Sequence, residues 1–458
     1  MEISRQLLEK YNIPVPRYTS YPPANHFTDF REDEYISLLE DSNIRNPRNI
    51  ALYVHIPFCK KICYYCGCNS CSMGRDDQVN SYMKALRREI ELVSKLIDKN
   101  RPVSQIHYGG GTPNAINIKF LQDLNSLFFS EFKFIENPEI AIECNPEHLT
   151  FGHIDMLVSS GFNRFSLGIQ DFNNKVLKLV NRTPSVIPPE ELFSYLKKKN
   201  NEISVNFDFI YGLPGQTAES FAETIEKAIA IRPDRLVTFS YAHVPWLKKH
   251  QLILEKKGLP ASGEKMQMFL TGYKMLKEAG YEPLGLDHFV LPKDDLFVAY
   301  KGDQLHRNFQ GYCTRRTTGQ VYAFGVTGIS QLEQGYSQNI KDIPNYIDRV
   351  EKGILPAERG YILNETEKIT RDVINKLMCN KKIRFSEIAH DLGISTDDLK
   401  EAVGFSESRL GDLVEDGLIR YSDEELEVTE KGSLFIRNIA VVFDKEYHEK
   451  NQIYSRNV

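Results

Sequence analysis

The sequence predicts an α/β fold. It is a partial barrel of (β/α)6 type, preceded by an N-terminal extension and followed by a small helical, winged-helix-like C-terminal domain. Three observations carry this expectation. From residue 50 onward, short β-branched and aromatic runs alternate with longer amphipathic runs of helical period, the pattern of a parallel sheet. Polar or glycine-rich stretches follow directly on several of the apolar runs, at the end of the strands where a parallel barrel carries its chemistry. After residue 363 the strand pattern gives way to short helices and a charged hairpin.

Strands are expected at 50–56, 104–108, 139–143, 163–167, 203–210 and 235–241. The clearest helix is expected over 78–99, where Tyr82, Leu86, Ile90, Val93 and Ile97 share one face. Residues 118–129 and 218–230 have the same period, and a seventh strand candidate at 281–287 follows a helical pattern at 265–279. The stretch 288–360 is less regular. Helices at 365–379, 385–392 and 397–405 then precede a run at 413–421 that ends in the hairpin. The boundaries that follow are an extension over 1–49, a barrel over 50–290, a connecting segment covering the barrel over 291–362, and a helical domain over 363–458. No internal sequence repeat indicates a solenoid.

The chain has 458 residues, 41% hydrophobic and 26% charged, with a net charge of −5. That composition excludes a disordered tail protein. The slight acidity offers no general attraction to nucleic acid or to an anionic membrane. No apolar stretch approaches the ~20 residues needed to span a bilayer, and the proline-rich, polar start lacks a signal peptide's apolar centre. A cytoplasmic location is expected. Eight cysteines are too few for a disulfide scaffold, yet Cys59, Cys63, Cys66, Cys68 and Cys71 fall within thirteen positions. Where thiols stay reduced, such a cluster reads as metal-binding or catalytic.

The cysteine segment follows the first strand directly. Cys59, Cys63 and Cys66, at spacings of four and three, can converge on one centre only from a loop that wraps around it. A structural zinc site usually takes four ligands, often in two separated pairs, and this run has no evident second pair. An iron–sulfur cluster held by three cysteines leaves one iron open. Zinc stands as the alternative. The second strand runs into Gly109-Gly110-Gly111-Thr112-Pro113, where consecutive glycines permit close backbone approach; the same run also suits an ordinary tight turn. Glu143 at the third strand end either holds a ribose or cation or caps the next helix. Gln170 and Asp171 after the fourth strand and Asp208 in the fifth extend a set of polar strand ends across one mouth.

The Cys-x3-Cys-x2-Cys pattern resembles the signature of the radical S-adenosylmethionine enzymes. Further motifs resemble the bacterial oxygen-independent coproporphyrinogen III oxidase family: Pro16-Arg17-Tyr18-Thr19-Ser20-Tyr21-Pro22, the stretch 53–68, and the runs at 165–172, 241–243, 286–289 and 305–312. The resemblance covers essentially the whole chain. It implies oxidative decarboxylation of two propionates of coproporphyrinogen III to vinyls, giving protoporphyrinogen IX in heme biosynthesis by means of a 5′-deoxyadenosyl radical. It implies a [4Fe–4S] cluster on Cys59, Cys63 and Cys66, and adenosylmethionine on the open iron. The cofactor supplies the radical, so no side chain is expected to be catalytic in its own right. Tyr53, Gly110, Glu143 and Ile329 match positions around a first adenosylmethionine. Tyr65, Gly111, Thr112, Gln170, Arg182, Asp208 and Ala242 match positions around a second. Cys68 matches a fourth family cysteine that is not a ligand, Tyr65 stands where relatives often have Phe, and Cys71 is a spectator thiol.

A tetra-anionic substrate calls for arginine. Arg17 in the N-terminal extension is the first candidate and Arg307 the second, each with an ordinary ion-pair role as its alternative. Expected partners are coproporphyrinogen III, a flavodoxin- or ferredoxin-like one-electron donor and an unidentified electron acceptor, with no nucleic acid and no membrane span, and the chain is expected to be a monomer. The alternative within the same chemistry is a tetrapyrrole-modifying or heme-handling paralogue, from which Cys68 and the Arg17 motif separate this chain. An iron–sulfur winged-helix regulator is disfavoured, because residues 381–432 carry seven basic against fourteen acidic side chains, whereas a phosphate-binding surface is basic.

Overall fold

The computed structural model describes residues 3–74, 76–449 and 454. The chain divides into two compact units. A sheet unit comprises Thr28–Tyr281 and Arg316–Ile362; a helical unit comprises the residues up to Phe27, Glu282–Arg315 and the chain from Leu363 onward.

Six strands of the sheet unit pair in parallel, each with the next: β1 Ile50–Ile56, β2 Val103–Gly110, β3 Phe134–Cys144, β4 Arg164–Gln170, β5 Ser204–Tyr211 and β6 Arg235–Ser240. Helices such as Asp76–Val93, Ile118–Glu131 and Ala218–Ile231 return the chain between them. The strand–helix alternation read from the sequence is therefore a parallel sheet, open and not closed into a barrel. β1 is not its edge. β7 Gln320–Phe324 pairs parallel to the other side of β1, followed by antiparallel β8 Ile329–Leu332, β9 Gly335–Asn339 and β10 Ala357–Ile362, with Thr28–Asp29 paired to β10. These strands lie in the stretch that looked irregular, since they are four to six residues long and interrupted by Gly, Ser and Gln.

With neighbours on both edges, β1 buries Ile50, Leu52, Val54 and Ile56 almost completely, as a central parallel strand should. Asp76–Val93 packs Tyr82, Leu86, Ile90 and Val93 inward. It ends at Val93, short of the expected residue 99. The chain then turns through Lys95 N–H to Leu92 O and Leu96 N–H to Val93 O, still burying Ile97, so the apolar period outlasts the helix. The same helix buries Glu89, which accepts from Gly325 N (2.7 Å), Asn339 Nδ2 (2.6 Å) and Tyr346 OH (2.5 Å). Desolvation raises its pKa to about 7.

In the helical unit, Asn364 and Glu367 form a capping box on Glu365–Asn380. Phe385–Leu392 and Thr396–Ala402 follow, and Lys382–Arg384, Glu425–Val428 and Ile419–Tyr421 form a three-stranded antiparallel wing. The expected strand at 281–287 forms over Glu282–Leu284, though not as a further parallel repeat. Glu282–Leu284 turns back on His288–Val290 as an antiparallel hairpin, with Gly285 at φ +61°. The N-terminal segment buries Leu7, Leu8, Tyr11, Val15, Tyr18 and Tyr21. It is pinned by its backbone: Arg437 donates to the carbonyls of Val15 and Pro16, Asn438 to that of Tyr11, and the Tyr18 hydroxyl to Asp444.

Candidate active site

Pro57 follows β1, and the two-residue strand Phe58–Cys59 pairs in parallel with Cys71–Ser72. Cys71 N–H donates to Pro57 O (2.9 Å) and Met73 N–H to Cys59 O (2.7 Å). The cysteine segment is thereby a lobe closed at its neck, and Cys71 serves it through the backbone. Tyr64 N–H to Val180 O (3.0 Å) and Asn181 Nδ2 to Ile62 O (2.8 Å) tether one flank, and Asn69 Nδ2 to Thr327 Oγ1 (3.2 Å) another.

The glycine run at the end of β2 abuts this lobe. Gly111 N–H donates to Ile56 O (2.8 Å), and a Cβ on Gly111 would lie 2.7 Å from Pro57 O. Gly110 has φ +110°, and a Cβ there would strike the His55 ring at 2.7 Å. The glycines are thus a close-approach device and not merely a turn.

The three predicted thiols have different surroundings. Cys59 is buried, with Sγ 3.3 Å from Thr112 Oγ1, and burial pushes its pKa up to about 11. Arg182 donates from Nη1 to Cys63 Sγ at 3.6 Å. Hydrogen bonding by Cys68 outweighs the burial of Cys66 and lowers that thiol to about 6, with help from Ser70 and Lys248. Among the described residues, no three His, Cys, Asp or Glu side chains converge on a point that one ion could occupy. A polynuclear cluster, which carries its own bridging atoms, spreads its thiol ligands farther apart than a single zinc does.

Beside the lobe, Glu143 accepts from His107 Nε2 (3.0 Å) and Gly110 N–H (3.4 Å). Burial opposes its ionisation, but these donors outweigh burial and hold the carboxyl below its ordinary value. Tyr53 stacks on His107 at 5.9 Å and bonds His55 Nδ1 at 3.2 Å. His55 and His107 were missed in the sequence. Their signal was a polar residue at an alternating position of an otherwise apolar strand, for Tyr53 pairs with His107 in the β1–β2 register. Gln170 adopts φ +67°, and its buried Oε1 has no hydrogen-bond partner. Arg182 donates to Gly168 O and to Asn145 Oδ1. Gln251, also missed, joins Tyr65 O (3.1 Å) to Ala242 O (3.3 Å). Ile329 opens β8 two residues after Thr327, which the lobe touches. Asp208 lies further along the mouth, accepting from Ser166 Oγ (2.6 Å) and Asn206 Nδ2 (2.7 Å). A cavity of about 770 Å3 lined by Pro146, Asp171, Phe172, Arg182 and Phe193 shares Asp171 and Arg182 with the residues singled out in the sequence.

Arg17 and Arg307 belong to the helical unit. Arg307 is buried, donating from Nη1 to the carbonyls of Arg17 (2.8 Å) and Tyr18 (2.9 Å), so it fixes the backbone that presents the exposed Arg17 side chain. Asp287, bonded to His288 at 2.7 Å, feels both guanidinium groups.

Residues 53–228 match the Radical SAM superfamily and residues 363–435 the HemN C-terminal domain. The chain is 39% identical to the oxygen-independent coproporphyrinogen III oxidase of Synechocystis sp., over 100% of this chain and 98% of that one. The chain belongs to the oxygen-independent coproporphyrinogen III oxidase family. The family's Salmonella typhimurium member is 40% identical over 97% of this chain and 95% of its own. The structure of coproporphyrinogen III oxidase (HemN) from Escherichia coli, described as a radical SAM enzyme, superposes with a TM-score of 0.89 at 36% identity, covering 97% of this chain and 99% of that one. The chain therefore has the radical SAM α/β fold and is a radical SAM oxidoreductase, a class that uses a [4Fe–4S] cluster and adenosylmethionine. The closed lobe of three thiols, the unpartnered Gln170 Oε1 and the glycine cradle suit such groups. No helix among the described residues is long and apolar enough to cross a membrane.

Proposed function

We propose that this protein converts coproporphyrinogen III to protoporphyrinogen IX without oxygen, by oxidative decarboxylation of two propionates to vinyls in heme biosynthesis, acting as a cytoplasmic monomer. The observation that carries the reading is similarity along the whole chain to relatives of that name. Cys59, Cys63 and Cys66 would hold the cluster, and Cys68 is not among its ligands. When bound, the cluster and adenosylmethionine supply the radical that removes a propionate hydrogen, after which carbon dioxide leaves and one electron passes to an external acceptor.

The chain's own residues bind and orient. Gly110 lets the backbone approach the first adenosylmethionine, and the ionised Glu143, held low by its donors, accepts from that ligand's amino or ribose groups beside Tyr53 and Ile329. Tyr65, Gly111, Thr112, Gln170, Arg182, Asp208 and Ala242 would hold a second adenosylmethionine, to which the idle Gln170 Oε1 offers an acceptor. Arg17 receives a substrate carboxylate; Arg307 contributes by holding Arg17 in place.

The test is anaerobic. The reconstituted chain receives adenosylmethionine, a reductant, coproporphyrinogen III and an electron acceptor. Vinyl-bearing porphyrinogen with two adenosylmethionines bound per chain is expected. An intact cluster with no vinyl product would overturn the reading, and a binding stoichiometry of one would remove the second ligand.

A further inference from the structure

We propose that the exposed face of residues 244–257, beside the cysteine lobe, is the docking surface for a small acidic one-electron carrier protein. The inference rests on the functional reading above and deepens it by naming the face through which the cluster is reduced.

Four large apolar side chains stand exposed within eight positions: Trp246 (57%), Leu247 (72%), Leu252 (44%) and Ile253 (37%). Scattered exposed apolar residues need no explanation, but four within eight positions, a tryptophan among them, have the composition of an interface anchor. The same stretch carries Lys248, Lys249, Lys256 and Lys257 against a single acid, Glu255, which pairs with His243 at 2.6 Å. A lysine-rich stretch on a chain of net charge −5 offers local attraction to an acidic partner.

The segment is anchored on its other side. Leu254 is fully buried in an apolar cluster with Val176, Val180 and Leu213, with Tyr64 and Tyr65 packed against it. Lys248 Nζ donates to Cys68 O (2.6 Å), His250 Nε2 meets Cys66 O (2.9 Å), and Gln251 reaches Tyr65 O. The exposed apolar residues are therefore presented by a segment whose intervening side chains grip the backbone of Cys66 itself. A carrier seated on Trp246 and Leu247 has a short bonded path through His250 to a predicted cluster ligand. A small apolar anchor in a lysine-rich stretch also suits a transient redox encounter, which buries little area and relies on steering.

The probe is flavodoxin hydroquinone, an acidic flavoprotein, mixed anaerobically with the reconstituted full chain while cluster reduction is followed by stopped flow. For the unaltered chain the second-order rate should fall steeply with ionic strength. A Lys249→Glu/Lys256→Glu double variant should lose about tenfold or more of that rate and most of its salt dependence. Trp246→Ala should lose rate and keep the salt dependence. Cluster content, adenosylmethionine binding and reduction by dithionite should not change in either variant. Reduction by flavodoxin at the unaltered rate in both variants overturns the proposal. So does a change in sedimentation that assigns the face to a second copy, or lysine-dependent binding to anionic vesicles that assigns it to a lipid surface. A chain reduced through this face that forms no vinyl product leaves the docking surface standing and removes the functional reading instead.

Discussion

In the sheet unit, the candidate ligands sit on one contiguous lobe and on strand ends that recur along the chain. In the helical unit, Arg307 and the Arg17 carbonyl it holds are 290 positions apart in sequence. The first arrangement borrows its geometry from a parallel sheet, whose strands align their carboxyl ends without further instruction. The second has no such scaffold. The N-terminal segment is held by its buried apolar side chains and by side chains that donate to its backbone carbonyls, so residues far along the chain shape its course. A lobe-and-sheet site should therefore fail chemically when a ligand is lost, whereas the N-terminal segment should fail mechanically when a pin is lost.

The largest effect expected is at the lobe. Cys63→Ala should abolish stable cluster assembly, read as iron content and visible absorbance, while Cys71→Ala should retain a full cluster because its contribution to the neck is a backbone N–H. A full cluster in the Cys63 variant would break the assignment. Next comes the buried Glu89 of the helix Asp76–Val93. The pKa of Glu89, about 7 against an ordinary 4.5, lies above its unfolded value. The contribution of this group is therefore full below about pH 4.5 and is lost as pH rises through 7, about 3 kcal/mol in all. Glu89→Gln should flatten this slope in thermal unfolding between pH 5 and 8; an unchanged slope would place the titration elsewhere. The smallest effect expected is in the helical unit. Arg437→Met leaves the carbonyls of Val15 and Pro16 without their donor and should cost about 2 kcal/mol. The readout is faster proteolytic cleavage near residues 12–18, with cluster content unchanged. Loss of the cluster in this variant would show that the two units do not fail independently.

The six parallel strands and the cysteine lobe were legible because each is written in a short, continuous stretch: an apolar run, then glycine or cysteine. Strands β7–β10 were not, since a strand of four to six residues with Gly and Gln has no period to detect and exists only through its neighbours. His55 and His107 escaped notice because a single histidine in a strand has the same pattern whether it faces a core or a site. Gln251 and His250 escaped because nothing local reveals that a side chain will reach the carbonyl of a residue some 185 positions earlier.

By itself, then, the sequence determined the order of strands, the spacing of three thiols and the family motifs, all of which depend on neighbours along the chain. The tertiary structure alone decided that Cys71 closes the lobe, that Gly110 and Gly111 yield space to His55 and Pro57, that Arg307 holds Arg17, and that Lys248, His250 and Gln251 reach the carbonyls of Cys68, Cys66 and Tyr65. Those are contacts between distant segments, fixed by packing and by the need to satisfy buried backbone groups, and no local pattern encodes them.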